Sequence, residues 1–291
     1  MYSPTMAVPL QTKYTLSPIT NNIPRSHRPS LLRVRVTCSL TPGKKSHRPN
    51  HEKLVLEKRL VNPPPSDDPT LQSTWTHRLW VAAGCTTVFA SFAKSVIGGF
   101  GSHLLLEPPL AGVAGYILAD LGSGLYHWAI DNYGDESTPL VGTQIEAARG
   151  HHKWPWIITK RQFANNSYAL ARGMTFTVLP LVLACNDPVV HGFVSTFAFC
   201  ILLCQQFHAW AHGSRSSLPP LVVAFQDMGL LLSRRQHVNH HRHQLTYMSY
   251  CIVSGVWNNI LDDNKIFEAL EKVLYVQFRV RPRSWSDQNS E

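Results

Sequence analysis

The sequence predicts an all-α protein, a multi-pass membrane helical bundle of about four transmembrane helices. Three observations predict it: four apolar stretches of bilayer length, a one-sided distribution of Lys and Arg between them, and histidines gathered at their ends. The first 51 residues carry eight Lys or Arg and no acid, are dense in Ser and Thr, and lack a sustained apolar run. That composition belongs to an organelle transit peptide rather than a secretory signal. Residues 1–38 are therefore expected to be a transit peptide, a plastid one because "VRVTCS" at its end resembles a plastid processing site, with a mitochondrial one as the alternative. Residues 39–74 follow as a polar, proline-rich linker, 75–285 as the membrane domain, and 286–291 as a short tail.

Within the membrane domain, "LWVAAGCTTVFASFAKSVIGGF" (79–100) is long enough to cross a bilayer. So is "LAGVAGYILADLGSGLYHWAI" (110–130). The stretches at 169–185 and 189–207 are separated by a three-residue turn and form a helical hairpin. The run at 218–232 is shorter and interrupted, and reads as interfacial or re-entrant. Lys94, Asp120 and Arg172 are costly inside hydrocarbon and such residues usually mark function. Several cysteines lie in apolar runs and there is no CxxC pair, which argues against a disulfide scaffold or a zinc ribbon.

The formal net charge of +9 would suggest an anionic partner such as nucleic acid. Eight of those charges belong to the leading segment, which leaves 9 minus 8, or +1, for the rest. Nucleic-acid binding is thereby disfavoured. Four crossings place Arg149, Lys153, Lys160, Arg161, Arg215, Arg234 and Arg235 on one side, while the opposite loops, "GSHLLLEPP" and "NDP", carry no Lys or Arg. This follows the positive-inside rule and brings every histidine group to the same face.

Those groups are His127 in "GLYHWAID", the pair His151 and His152, the HxxxH pair His208 and His212, and the HxxHH group His237, His240 and His241 in "RRQHVNHHRHQ". Spacings of three and four residues put imidazoles on one helical face. Eight imidazoles exceed what one zinc-like site uses, so they point to two metals, with the metal itself left open by ligand type. A histidine-rich metal pair at a membrane surface fits an oxygen-activating di-iron centre acting on an acyl chain. Asp131, four residues after His127, reads as a residue that fixes an imidazole by hydrogen bonding, with direct ligation as the alternative. Glu146, Gln205 and Gln236 could serve similarly. Arg234, Arg235 and Arg242 read as headgroup phosphate contacts or interfacial anchors. Tyr126, Trp128, Trp154, Trp156 and Trp210 form the expected aromatic belt. His191 reads as structural, and His243 fits the inward face poorly.

The pattern HW…HH…HxxxH…HxxHH, with "GLYHWAIDNYGD", "GHHKWPWIIT", "HAWAH" and "YCIVSGVWNN" around it, resembles the Kua family of lipid desaturases over residues 70–285. It looks most like the plant plastid, fatty acid desaturase 4-like branch, which is related to plasmanylethanolamine desaturase. The resemblance implies an O2-dependent di-iron enzyme with two iron ions held by His127, His151, His152, His208, His212, His237, His240 and His241. It implies a trans double bond at carbon 3 of palmitate in plastid phosphatidylglycerol, and ferredoxin as electron donor. The expected location is a chloroplast membrane, with the histidines on the stromal face. The stretch "RHQLTYMSY" departs from the family's usual connection. A di-iron hydroxylase and a non-enzymatic metal- or haem-binding membrane protein are the competing readings. Clusters at helix ends argue against haem, which favours single histidines deep in opposite helices.

Overall fold

The computed structural model describes residues 68–242 and 248–287. The expected transit peptide, the linker up to residue 67 and His243 lie outside the described residues. All regular structure among the described residues is helical. Four long helices dominate: α1 (Trp75–Gly101), α2 (Glu107–Asn132), α5 (Phe163–Ala184) and α6 (Pro188–His212). Short helices α3 (Gly142–Lys153) and α4 (Ile157–Lys160) fill the connection between α2 and α5. After α6 come α7 (Pro220–Asp227), α8 (Arg234–Arg242), α9 (Asn258–Asp263), α10 (Ile266–Phe278) and α11 (Ser284–Asp287).

The shortest long helix has 22 residues, which at about 1.5 Å per residue exceeds a hydrocarbon core of about 30 Å. By length and composition α1, α5 and α6 are apolar enough to cross a membrane. The sequence reading of four such helices is reduced at α2. Its length suffices, but Asp120, His127 and Asp131 lower its apolar character. Those polar groups face protein, since Asp120 and His127 are buried. Packing of α2 along α6, and of α1 on α5 and α6, forms the bundle. At Gly115 any Cβ would meet the Phe193 carbonyl, so glycine sets how closely α2 approaches α6.

Two of the three charges flagged within the apolar stretches are structural. Lys94 donates to the carbonyls of Val182 and Cys185, at 2.5 and 2.9 Å, and so caps the C-terminus of α5. Asp187 caps α6 by accepting from the N–H groups of Val189 and Val190, which closes the hairpin turn read from the sequence. Asp120 accepts backbone N–H bonds from Val253, Ser254, Gly255 and Trp257, at 2.7 to 3.3 Å. It thereby straps the 250–257 segment to α2. His191 is structural, as read: its Nε2–H donates to the Cys185 carbonyl while Ser91 donates to Nδ1.

The end of the expected linker is docked rather than free of the domain. Leu71 is buried, its carbonyl accepts from Gln162 N–H, and Asn165 donates to the carbonyls of Thr70 and Gln72. The run at 218–232 holds only the eight-residue α7, with Val222, Leu231 and Leu232 buried and Leu221 and Met228 exposed. Trp128 leaves the expected aromatic belt: it is buried, and its indole N–H donates to the buried Glu271 at 3.0 Å.

Candidate metal centre

Helix geometry determines how the histidines meet. Successive residues on a helix differ by about 100° in direction, whereas residues four apart point nearly the same way. His151, His208, His212, His237 and His241 form one donor group; His127, Asp131, His152 and His240 form a second. Each i, i+4 pair stays together: His208 with His212, His237 with His241, His127 with Asp131. Each adjacent pair divides, His151 from His152 and His240 from His241. The HxxHH face therefore divides between the two donor groups.

Local sequence builds the supports. Helix α8 opens on Ser233, whose N–H donates to Gln236 Oε1 at 3.2 Å while Gln236 N–H returns to Ser233 Oγ at 3.4 Å. Gln236 is thus a capping residue and not an imidazole partner. Glu146 and Gln205 line a cavity beside His127, His151 and His208. Arg234 and Arg235 are exposed at the start of α8, and the side chain of Arg242 lies outside the described residues.

In the first group the Nε2 atoms converge. His208 and His237 are 2.7 Å apart, His237 and His212 2.9 Å, and His241 stands 3.1 Å from both His212 and His237. His151 reaches His241 at 3.2 Å. Five neutral imidazoles cannot satisfy this many contacts with one proton each. Donors about 2.1 Å from a common cation and at right angles to one another would lie about 3.0 Å apart, which is this spacing. The donor set fits a metal ion.

The second group is looser and acquires a charge. Asp131 Oδ2 lies 2.9 Å from His152 Nε2, 3.3 Å from His127 Nε2 and 3.5 Å from His240 Nε2. It stands among the converging nitrogens, where it could either ligate a cation or hold an imidazole by hydrogen bonding. Backbone carbonyls hold two of the rings from behind. His127 Nδ1–H donates to Tyr250 O at 3.0 Å and His240 Nδ1–H to Met248 O at 2.9 Å, which leaves both Nε2 lone pairs free for a cation. The two groups adjoin, with the rings of His127 and His208 5.3 Å apart and those of His240 and His241 5.3 Å apart.

Burial sets the electrostatics. It holds the His151 and His237 pKa values well below the usual range, reinforced by neighbouring imidazoles. His241 is pushed down to about 2, first by burial and then by His240 and His212. Burial alone would also lower His152, but the Asp131 carboxylate reverses the direction and raises it. Neutral imidazoles and one carboxylate are the forms a cation binds.

Four supporting residues were not legible from motifs. Arg283 donates to the carbonyls of Ile130, Asp131, Tyr133 and Gly134 and so caps α2 just beyond its donor residues. Glu271 accepts from the indoles of both Trp128 and Trp285. Asp262 accepts from Ser249 N–H, next to the Met248 and Tyr250 carbonyls. Tyr250 also accepts from Asn132 through its hydroxyl. The strap "YCIVSGVWNN" was visible as a string, but its partners lie more than 100 residues away.

Comparison with known proteins then decides the family. A lipid desaturase domain matches residues 116–285, over half the chain. The chain belongs to the lipid desaturase family. It is 69% identical to fatty acid desaturase 4, chloroplastic, of Arabidopsis thaliana, covering 98% of this chain and 96% of that one. It is likewise 69% identical to fatty acid desaturase 4-like 2, chloroplastic, of the same plant, covering 98% and 100%. A plasmanylethanolamine desaturase of Mus musculus is 30% identical over 59% of this chain and 66% of that one. No solved structure matches. The desaturase is thus an enzyme of membrane lipids, with clustered histidines that could bind metal at one end of its helices.

Proposed function

We propose that this desaturase inserts a trans double bond at carbon 3 of palmitate in phosphatidylglycerol of a chloroplast membrane, using O2 and a di-iron centre. The observation that carries the reading is the convergence of eight imidazoles and Asp131 into two adjoining donor groups beside one cavity. His151, His208, His212, His237 and His241 would hold one iron; His127, His152, His240 and Asp131 would hold the other. Once bound, two irons supply the oxidising power to convert CH2–CH2 and O2, with two electrons and two protons, into CH=CH and two waters.

The chain's own residues bind and orient. Tyr250 and Met248 carbonyls hold the His127 and His240 rings so that Nε2 faces the centre. Arg283 fixes the end of α2, and with it Asp131. The cavity, of about 300 Å³, meets both donor groups through His127, His151 and His208, and its aliphatic lining includes Ile130, Leu170 and Ile158. Such a wall accepts methylenes and keeps water from the reacting carbons. A site at the ends of the long helices reaches the carboxyl end of an acyl chain while the rest stays in lipid. Electrons would come from ferredoxin on the stromal face, and exposed Arg234 and Arg235 would anchor α8 at the membrane surface or meet lipid phosphate.

Expression of the full chain with ferredoxin, followed by gas chromatography of phosphatidylglycerol acyl chains, tests this. A new trans-3 hexadecenoyl species is expected. Unchanged acyl chains from folded, iron-loaded protein would overturn the assignment, and a hydroxyacyl product would assign a hydroxylase.

A further inference from the structure

The cavity beside the two donor groups contains one cationic side chain, apart from its histidines, and neither the metal centre nor the helix packing uses it. Arg161 shares its wall with His127, His151 and His208, and is its single cation. Its backbone is held from both sides: Arg161 N–H donates to Ile157 O at 3.2 Å, and the next residue, Gln162, donates to Leu71 O at 3.0 Å. Among the described residues its guanidinium has no hydrogen bond or ion pair. Tyr168, Glu146 and Asp68 act on it through space.

Two arginines with partners show the contrast. Arg215 forms a bidentate pair with Asp227 at 2.6 Å, and Arg283 engages carbonyls of four residues. Burial lowers the Arg161 pKa, which marks a poorly hydrated charge. A guanidinium offers five donors in a planar fork, and leaving them without acceptors in a partly dry cavity is costly. The fork matches the oxygens of a phosphodiester, and aliphatic neighbours such as Ile157 and Leu71 suit the adjoining glycerol and acyl chain.

We propose that Arg161 binds the phosphodiester of the lipid substrate inside this cavity and selects phospholipids over uncharged lipids. The inference rests on the reading of the site as one acting on a membrane lipid. It makes Arg161, not the exposed Arg234 or Arg235, the headgroup-reading residue. Anchoring the phosphate there would place the carboxyl end of the acyl chain toward His127, His151 and His208.

Binding of short-chain phosphatidylglycerol and of the matching diacylglycerol, which lacks phosphate, can be measured on the detergent-solubilised full chain without turnover. For Arg161→Gln the phosphatidylglycerol Kd is expected to rise about tenfold or more, while that for diacylglycerol changes less than about twofold. Arg161→Lys, which keeps the charge and loses the fork, should fall between, and it serves as the test if Arg161→Gln loses metal or melts early. In turnover, KM should rise with kcat nearly unchanged. Equal losses for both lipids, or an unchanged phosphatidylglycerol Kd, would overturn the proposal. Inorganic phosphate binding as tightly as the lipid would overturn it too, by making the site one for free anions. Wild-type protein that binds phosphatidylglycerol through Arg161 yet forms no unsaturated product would count against the desaturation reading and support this one.

Discussion

The two donor groups are built by different means. The five-imidazole group is assembled from helix faces, by α3, α6 and α8, and the Nδ1 atoms of His151, His208, His237 and His241 are buried without a hydrogen-bond partner. The second group is held from behind. Carbonyls of the 248–250 segment orient His127 and His240, the residues just after it, 253–257, are strapped to α2 by Asp120, and Asp131 adds a carboxylate. The difference teaches that the first group depends on bundle packing, whereas the second depends on one loop and the residues that anchor it. Damage to either support should therefore fall on one group before the other.

The largest effects are expected where a donor is removed. Changing His151 or His152 to Ala should each lower desaturation at least about 100-fold, because both groups are needed. Pairing separates the groups. The double variant His151→Ala/His241→Ala removes two donors from the first group and should retain metal in the second, whereas His151→Ala/His152→Ala should lose metal from both, as read by metal analysis. Equal retention by the two double variants would contradict the division.

Next in size is the strap. Asp120→Ala leaves three buried N–H groups and one part-buried N–H group without their acceptor, each buried one worth about 1–3 kcal/mol when unsatisfied, so a total loss of about 3 kcal/mol or more is expected. Thermal denaturation should show it, and metal should leave the second group while the first stays loaded. A smaller effect of the same kind is expected at Gly124, where any Cβ would overlap Cys251. Gly124→Ala should push the 250–253 segment outward, and metal affinity should fall about 10-fold with helix content unchanged.

The smallest effect belongs to Trp128→Phe. It removes one hydrogen bond to Glu271, which keeps Trp285 and Ser284, so a loss of about 1 kcal/mol with full metal content is expected from thermal melts. Metal loss on that substitution would mean that the C-terminal segment supports the centre more directly than its hydrogen bonds indicate.

Much of this was legible in sequence because it is local. Apolar runs marked α1, α5 and α6, "NDP" marked the hairpin, and the four histidine groups were each visible as strings. The division of donors was legible in principle, since adjacent residues on one helix diverge and i, i+4 residues coincide. What sequence could not supply was distance across the chain. Spacing leaves Asp131 as a support or a ligand, and it cannot show that the Tyr250 and Met248 carbonyls, over 100 positions after it, hold His127 and His240. Asp120 and Lys94 read as functional charges because their backbone partners are invisible to spacing, and Trp128 reads as a membrane-belt residue until Glu271 is seen beneath it. Arg161 was counted only as one more positive charge, and its cavity emerges only when the ends of α2, α3, α5 and α6 meet.

The proposed function requires two metal sites in this chain, the second completed by Asp131. Metal analysis of the purified full chain, wild type beside Asp131→Ala, tests it most directly. Two iron ions are expected per wild-type chain, and one in the variant, still held by the five-imidazole group. A single ion in the wild type, or two retained by Asp131→Ala at unchanged affinity, would contradict it.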